Sequence, residues 1–186
     1  MEKSVWEKGI ESSRQQKDEF FKMHFQSPLP PEQRQEFKGL DYYSPDRKYR
    51  FELELHEHKV KERLKIKDTQ GNERDFFRWG EFRFKIGDKD CKLHAYKSLP
   101  GEERLFVPFR DASSGKETYG AGRYLDFEVG KSQTPEGKWI VDFNEAYNPW
   151  CAYNKNYACP FTPPENWLEV EMPAGEKNYP FKSEGA

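Results

Sequence analysis

The sequence predicts a mainly β fold: an antiparallel, barrel-like meander of about nine short strands with N-terminal α-helices packed on it. Three observations carry that expectation. From Lys48 onward the apolar residues recur at every second position, the period of a half-buried strand. Turn-forming clusters separate these runs at the spacing of a meander, and no helical period interrupts them. At 186 residues the chain suits a single domain over 1–186, with a helical segment at 1–40 and a β body at 41–186.

The first element is helical. Trp6, Ile10, Ser13, Lys17, Phe20, Phe21 and His24 lie close to one stripe at 3.6 residues per turn. That stripe is apolar only at its two ends, so the helix is expected to dock by its ends. Ser27-Pro28-Leu29-Pro30-Pro31 stops it, because proline removes a donor and disfavours helix in the residue before it. A short second helix is expected over 31–37, opened by Pro31 and closed by Gly39.

The strands follow. In 48–55 Tyr49, Phe51, Leu53 and Leu55 alternate with charges, and in 60–67 Val60, Leu64 and Ile66 do the same. A turn at His56-Glu57-His58-Lys59 would join these two as an antiparallel hairpin, with Glu52 and Glu54 near Lys61 and Arg63 on the wet face. A turn at Thr69-Gln70-Gly71-Asn72 leads to 73–79. A hairpin about Gly87-Asp88-Lys89 joins 82–86 to 91–95. Further strands are expected at 104–109, 122–129, 138–144 and 167–172.

Charge excludes several functions. Lys and Arg number 31 and Asp and Glu 33, interleaved rather than blocked, so there is no basic footprint for a phosphate backbone and nucleic-acid binding is not expected. No apolar run approaches the ~20 residues that cross a bilayer, so no membrane role is expected, and no apolar leader precedes the first helix. A cytoplasmic protein is therefore expected. Three cysteines do not make a secreted disulfide framework. The mean hydropathy of −1.12 reflects a charged exterior over an aromatic core of 15 Phe, 10 Tyr and 5 Trp.

Two stretches break the alternation, 109–124 and the Pro- and aromatic-rich loop at 144–166. Their density of Tyr, Trp, Cys and Pro suits a packed functional loop better than a solvated linker. Matching the apolar faces of 122–129 and 138–144 would set Asp126 opposite Asp142 and Tyr124 opposite Asn144. Paired carboxylates can act as an acid/base couple or a metal site, or can be neutralised by neighbouring Lys and Arg. Arg123 has the parity of Leu125 and Phe127 and points inward. An interior guanidinium needs a partner: Asp111, Glu145, a carbonyl or an anionic ligand. The run Gly120-Ala121-Gly122 offers N–H groups but lacks the context of a phosphate-binding loop. Cys151 and Cys159 lack the spacing of a zinc site. His56 and His58 read as a solvated turn, so no metal and no cofactor are expected. The familiar hydrolase, zinc-protease, dinucleotide and kinase signatures are not in the sequence.

A set of motifs occurs in order: Gln33-Arg34, Phe37-Lys38-Gly39-Leu40, Tyr42-Tyr43, Pro108-Phe109-Arg110-Asp111, the run Gly115 to Leu125, Asp142-Phe143-Asn144, Ala146-Tyr147-Asn148-Pro149, Cys151-Ala152-Tyr153, Cys159-Pro160 and Pro163-Pro164-Glu165-Asn166. In these the chain resembles the bacterial and archaeal domain of unknown function 1684 from about residue 20 onward. The resemblance implies that the two unusual stretches are family hallmarks and implies no reaction. From the residues alone, the expected function is binding of a small polar or anionic molecule at one end of the β body, with catalysis left open. Candidate ligand-binding residues are Arg110, Tyr119, Arg123, Tyr124, Asp142, Asn144, Asn148 and Cys151. A protein-interaction domain using the aromatic 147–157 loop, and an enzyme using Asp142 or Cys151, are the alternatives.

Overall fold

The computed structural model describes residues 3–179. Helix α1 spans Val5–Met23 and opens with a capping box, in which Ser4 and Glu7 each accept from the other's backbone N–H. The one-turn helix α2, Pro31–Arg34, is shorter than the expected 31–37. Arg34 turns back to donate to the carbonyls of His24, Ser27 and Leu29, and so locks the connection between the two helices.

Seven strands follow: β1 Arg50–Leu53, β2 His56–Lys67, β3 Glu73–Ile86, β4 Lys89–Lys97, β5 Arg104–Phe109, β6 Arg123–Glu128 and β7 Trp139–Asp142. All ladders are antiparallel. Strands β2 to β6 form one sheet in chain order, and β1 pairs with β7 in a second, two-stranded sheet. The two pack over a common core. Phe51 meets Phe84 with ring centroids 5.2 Å apart, and Trp139 meets Phe82 at 6.4 Å and Phe127 at 6.3 Å. The expectation of antiparallel β with few helices holds. The closed barrel does not, because no pairing among the described residues joins β6 to β2 or links the two sheets.

The expected count of about nine strands is corrected to seven among the described residues, for two reasons. Segments 73–79 and 82–86 are one strand, since the glycine between them is absorbed by a bulge at Arg78/Gly80 rather than by a turn. Segment 167–172 runs extended beside the loop after β5, where Leu168 donates to the Arg110 carbonyl at 2.7 Å and Ala112 donates to that of Val170 at 2.9 Å.

The expected hairpin of 48–55 with 60–67 is also corrected. His56–Lys59 contains no residue that favours a turn, and it lies inside β2. The break falls at Glu54-Leu55, where the chain leaves the small sheet for the large one, so β1 pairs with β7 in the register Phe51↔Val141. A bulge in β2 between Glu57 and Glu62 shifts the phase, which leaves Val60 exposed and lays Lys61 over the Trp79 ring, 4.3 Å from its centroid. The predicted pairing of 122–129 with 138–144 fails in the same way. Leu125, Phe127, Trp139 and Val141 are all buried as expected, but they face one another across the core instead of lying side by side.

Candidate functional site

Helix α1 lies against the β body by its two ends. At the first, Ile10 is buried and the Trp6 indole donates to Asp142 Oδ2 at 2.8 Å. At the second, Phe21 is 1% exposed and meets Tyr153 edge-on at 4.8 Å, beside Leu29 and Phe37. Between these anchors the stripe turns polar. Ser13, Arg14 and Lys17 face a cleft of ≈ 500 Å³, closed on the other side by Tyr42, Tyr147, Trp150 and the 144–146 segment. A helix held at both ends over a polar middle leaves a space that side chains do not fill.

The charges around this cleft are organised by Glu176, which is 1% exposed. Its carboxylate accepts from Lys17 Nζ at 2.7 Å, from the Asn148 backbone and side-chain amides at 3.2 and 3.3 Å, and from the Tyr153 hydroxyl. Burial pushes its pKa up, while Lys17 and the Asn148 amide pull it back toward the ionised form. Lys17 also lies over the Tyr147 and Phe21 rings, at 5.3 and 5.4 Å from their centroids. Arg14 donates to the carbonyls of Tyr43 and Asn144, at 2.8 and 3.2 Å, and stacks on Tyr42 at 4.5 Å. Its Nε and the Tyr42 hydroxyl are buried and have no hydrogen-bond partner among the described residues. Desolvation lowers the Arg14 pKa and raises that of Tyr42, because burial penalises the charged form of each.

The residues singled out from the sequence are not gathered at one point. Asn144 lines the cleft, and its side chain bridges the backbone N–H and C=O of Asp46, both at 2.9 Å. Asp142 sits behind it, 3% exposed, and accepts from Trp6 and from both amides of Asn144. Asn148 braces Glu176, and its own Oδ1 is buried without a partner among the described residues. Arg123 lies in the interior, 1% exposed, and serves as a clasp. It pairs with Asp111 at 3.1 Å and donates to the carbonyls of Met172, Ala174 and Glu176, which fixes the 172–176 segment.

The remaining candidates are dispersed. Tyr124 donates to the Pro160 carbonyl on the outer face of the large sheet. Arg110 stacks on Trp167 at 4.4 Å. Tyr119 Oη meets Cys151 Sγ at 3.6 Å, and the Cys151 N–H points to Cys159 Sγ at 3.4 Å. The three cysteines are free thiols; a hydrogen bond from Cys151 pushes the Cys159 pKa down to about 7. Asp126 is not opposite Asp142: it accepts from Tyr147 and pairs with Arg104 at 2.8 Å. The suggested carboxylate couple is therefore absent, because β6 and β7 belong to different sheets.

Three participants escaped sequence reasoning: Arg14, Glu176 and Asn166. Arg14 had a visible signal, the polar gap in the α1 stripe, whereas Glu176 had none. Asn166, fully buried, answers a defect in the sheet. Pro108 in β5 has no N–H to give to β4, so the Asn166 side chain takes the place of a strand. It accepts from His94 N at 2.8 Å and donates to the carbonyls of His94 and Pro108 at 2.9 and 2.7 Å.

A solved relative has the same fold. The solution NMR structure of an uncharacterised protein of Haloarcula marismortui is 36% identical and aligns with a TM-score of 0.70, covering 92% of this chain and 94% of its own. A search of curated proteins finds no match. A family model described as a protein of unknown function, DUF1684, matches residues 35–177 and so takes in Asn144, Glu176 and the Pro-Pro-Glu-Asn motif. The chain belongs to the DUF1684 family.

Proposed function

We propose that this protein binds a small amphiphilic anion, an apolar body with a carboxylate-like head, in the cleft between α1 and the 144–150 segment. The observation that carries this reading is the placement of Arg14 and Lys17 on the one polar stretch of a docked helix face, at the mouth of a mainly apolar space that Asn144 and Glu145 also line. Lys17 is already neutralised by Glu176. Arg14 donates to neutral carbonyls and is the cation left to meet an anionic head. A cleft of ≈ 500 Å³ falls within the range of small-molecule sites. Among the aromatic residues at 147–157, Trp150 is exposed while Tyr153 is fully buried, which favours a cleft wall over a flat contact surface.

Thermal unfolding and calorimetry with a series of aryl and alkyl carboxylates test the proposal. The carboxylates should raise the melting temperature and their uncharged amides should not. Arg14→Gln should weaken binding by about tenfold or more, roughly 1.4 kcal/mol. Equal binding of the amides, or full affinity in Arg14→Gln, would remove the basis for the reading.

A further inference from the structure

A second constellation lies on the outer face of the large sheet, away from the cleft. His58 of β2, Glu81 of β3 and His94 of β4 come from three neighbouring strands, and Glu81 stands directly opposite His94 in the ladder. Gly80 allows this convergence. A Cβ there would lie 2.8 Å from the His56 carbonyl and 3.0 Å from Glu57 Cα, so only glycine lets β2 come this close to β3. Bulges in both strands flank the spot, between Glu57 and Glu62 and between Arg78 and Gly80. Bulges of this kind re-aim side chains.

The donor atoms of the three side chains all lie within 4.8 Å of one another. His58 Nε2 and His94 Nδ1 are 3.4 Å apart, and His94 Nδ1 is 3.9 Å from Glu81 Oε2. An N–H hydrogen bond prefers a separation of about 2.9–3.0 Å. Two nitrogens at about 2.0–2.1 Å from one tetrahedral zinc ion stand about 3.3–3.4 Å apart. The imidazole pair has the second spacing.

His94 is 8% exposed, yet none of its ring contacts with His58, Glu81 and Glu165 reaches ordinary hydrogen-bond length. The bond to His58 is a long one, and it leaves the two ring nitrogens room to share an ion instead. Its other nitrogen, Nε2, faces Glu165 Oε2 at 4.0 Å, and Glu165 is itself held by Arg78 and the Tyr96 hydroxyl. A carboxylate behind a ligating histidine is the usual orienting partner in zinc sites. The Asn166 side chain holds both the N–H and the C=O of His94. Glu81 also accepts from Arg83 and forms an ion pair with Lys92 at 3.5 Å, and these two side chains are 63% and 51% exposed.

We propose that His58, Glu81 and His94 form a binding site for one divalent transition-metal ion of the zinc type, with a fourth position left to water on the half-exposed His58 side. Two imidazoles and one carboxylate are a donor set of open zinc sites. The sequence hid the site because its ligands sit on three strands, and His58 read as part of a solvated turn.

The test uses the full chain after treatment with a chelator. Calorimetric titration with Zn²⁺ should give one site per chain, and Co²⁺ should develop the visible absorption of a four-coordinate nitrogen–oxygen complex. His58→Ala and Glu81→Gln should each weaken binding by tenfold or more while the far-ultraviolet circular dichroism stays unchanged. His56→Ala, an exposed imidazole two residues away, should bind as tightly as the parent. Absence of binding, binding undiminished in both ligand variants, or an equal loss in His56→Ala would each overturn the assignment.

Discussion

Arg123 carries a full charge where no water reaches, and the chain surrounds it with acceptors. Strand parity pointed it inward from sequence, and the nearby Asp111 was one of its possible partners. A carbonyl was another, and the three that serve come from 172–176, a stretch of which the periodicity claimed only Met172, as the end of an expected strand. Asp126 shows the converse. Parity places its neighbours Leu125 and Phe127 inside, but it says nothing about which strand lies alongside, and so it suggested a carboxylate couple that does not exist. A buried pair broken from one side leaves an uncompensated charge. Arg123→Met should therefore lower stability by about 3–5 kcal/mol in urea unfolding. Asp111→Asn should cost a comparable amount, and the double variant less than the sum of the two, because both remove one interaction.

Elements were legible where period and turn chemistry agreed. The hairpin of β3 and β4 about Gly87 is the clear case, with Phe84↔Cys91 and Phe82↔Leu93 in register. They were misread wherever a bulge stood for a turn, as at Gly80, or a charged tetrapeptide stood for one, as at His56–Lys59. The join of β4 to β5 could not be read at all. These strands pair at Tyr96↔Phe106, and beyond it Pro108 cannot donate, so a side chain from far along the chain completes the sheet. Asn166→Ala would leave the His94 N–H, the His94 carbonyl and the Pro108 carbonyl without partners. With each buried group worth about 1–3 kcal/mol, the loss should be at least about 3 kcal/mol. Hydrogen exchange of the His94 amide should accelerate more than that of Leu93.

At the scale of the whole molecule, sequence correctly foresaw antiparallel β structure and a helix docked by its ends. It did not foresee how the strands divide into sheets. Alternation encodes which side of a strand is dry, and both a closed barrel and two facing sheets satisfy the same alternation. The cleft depends on that arrangement and on the two anchors of α1. Phe21 is the larger anchor, packed among Tyr153, Leu29 and Phe37. Phe21→Ala should cost about 3–5 kcal/mol, as truncation of a buried phenylalanine does. Amides of α1 should then exchange sooner than those of β3 and β4, which a hydrogen-exchange time course reads directly.

The clasp at Arg123 also orders events in time. As the chain is synthesised from its N-terminus, the five strands of the large sheet are made before the residues that finish them. Asn166 completes the join of β4 to β5, and Met172 to Glu176 supply the acceptors that make an interior guanidinium tolerable. β1 waits in the same way for β7, and Lys17 for Glu176. Contacts of such long sequence separation form late and slowly. A nascent chain stalled short of Met172 would thus hold Arg123 with Asp111 alone and carry a loose first helix, and would be a substrate for chaperones until the 172–176 segment has emerged.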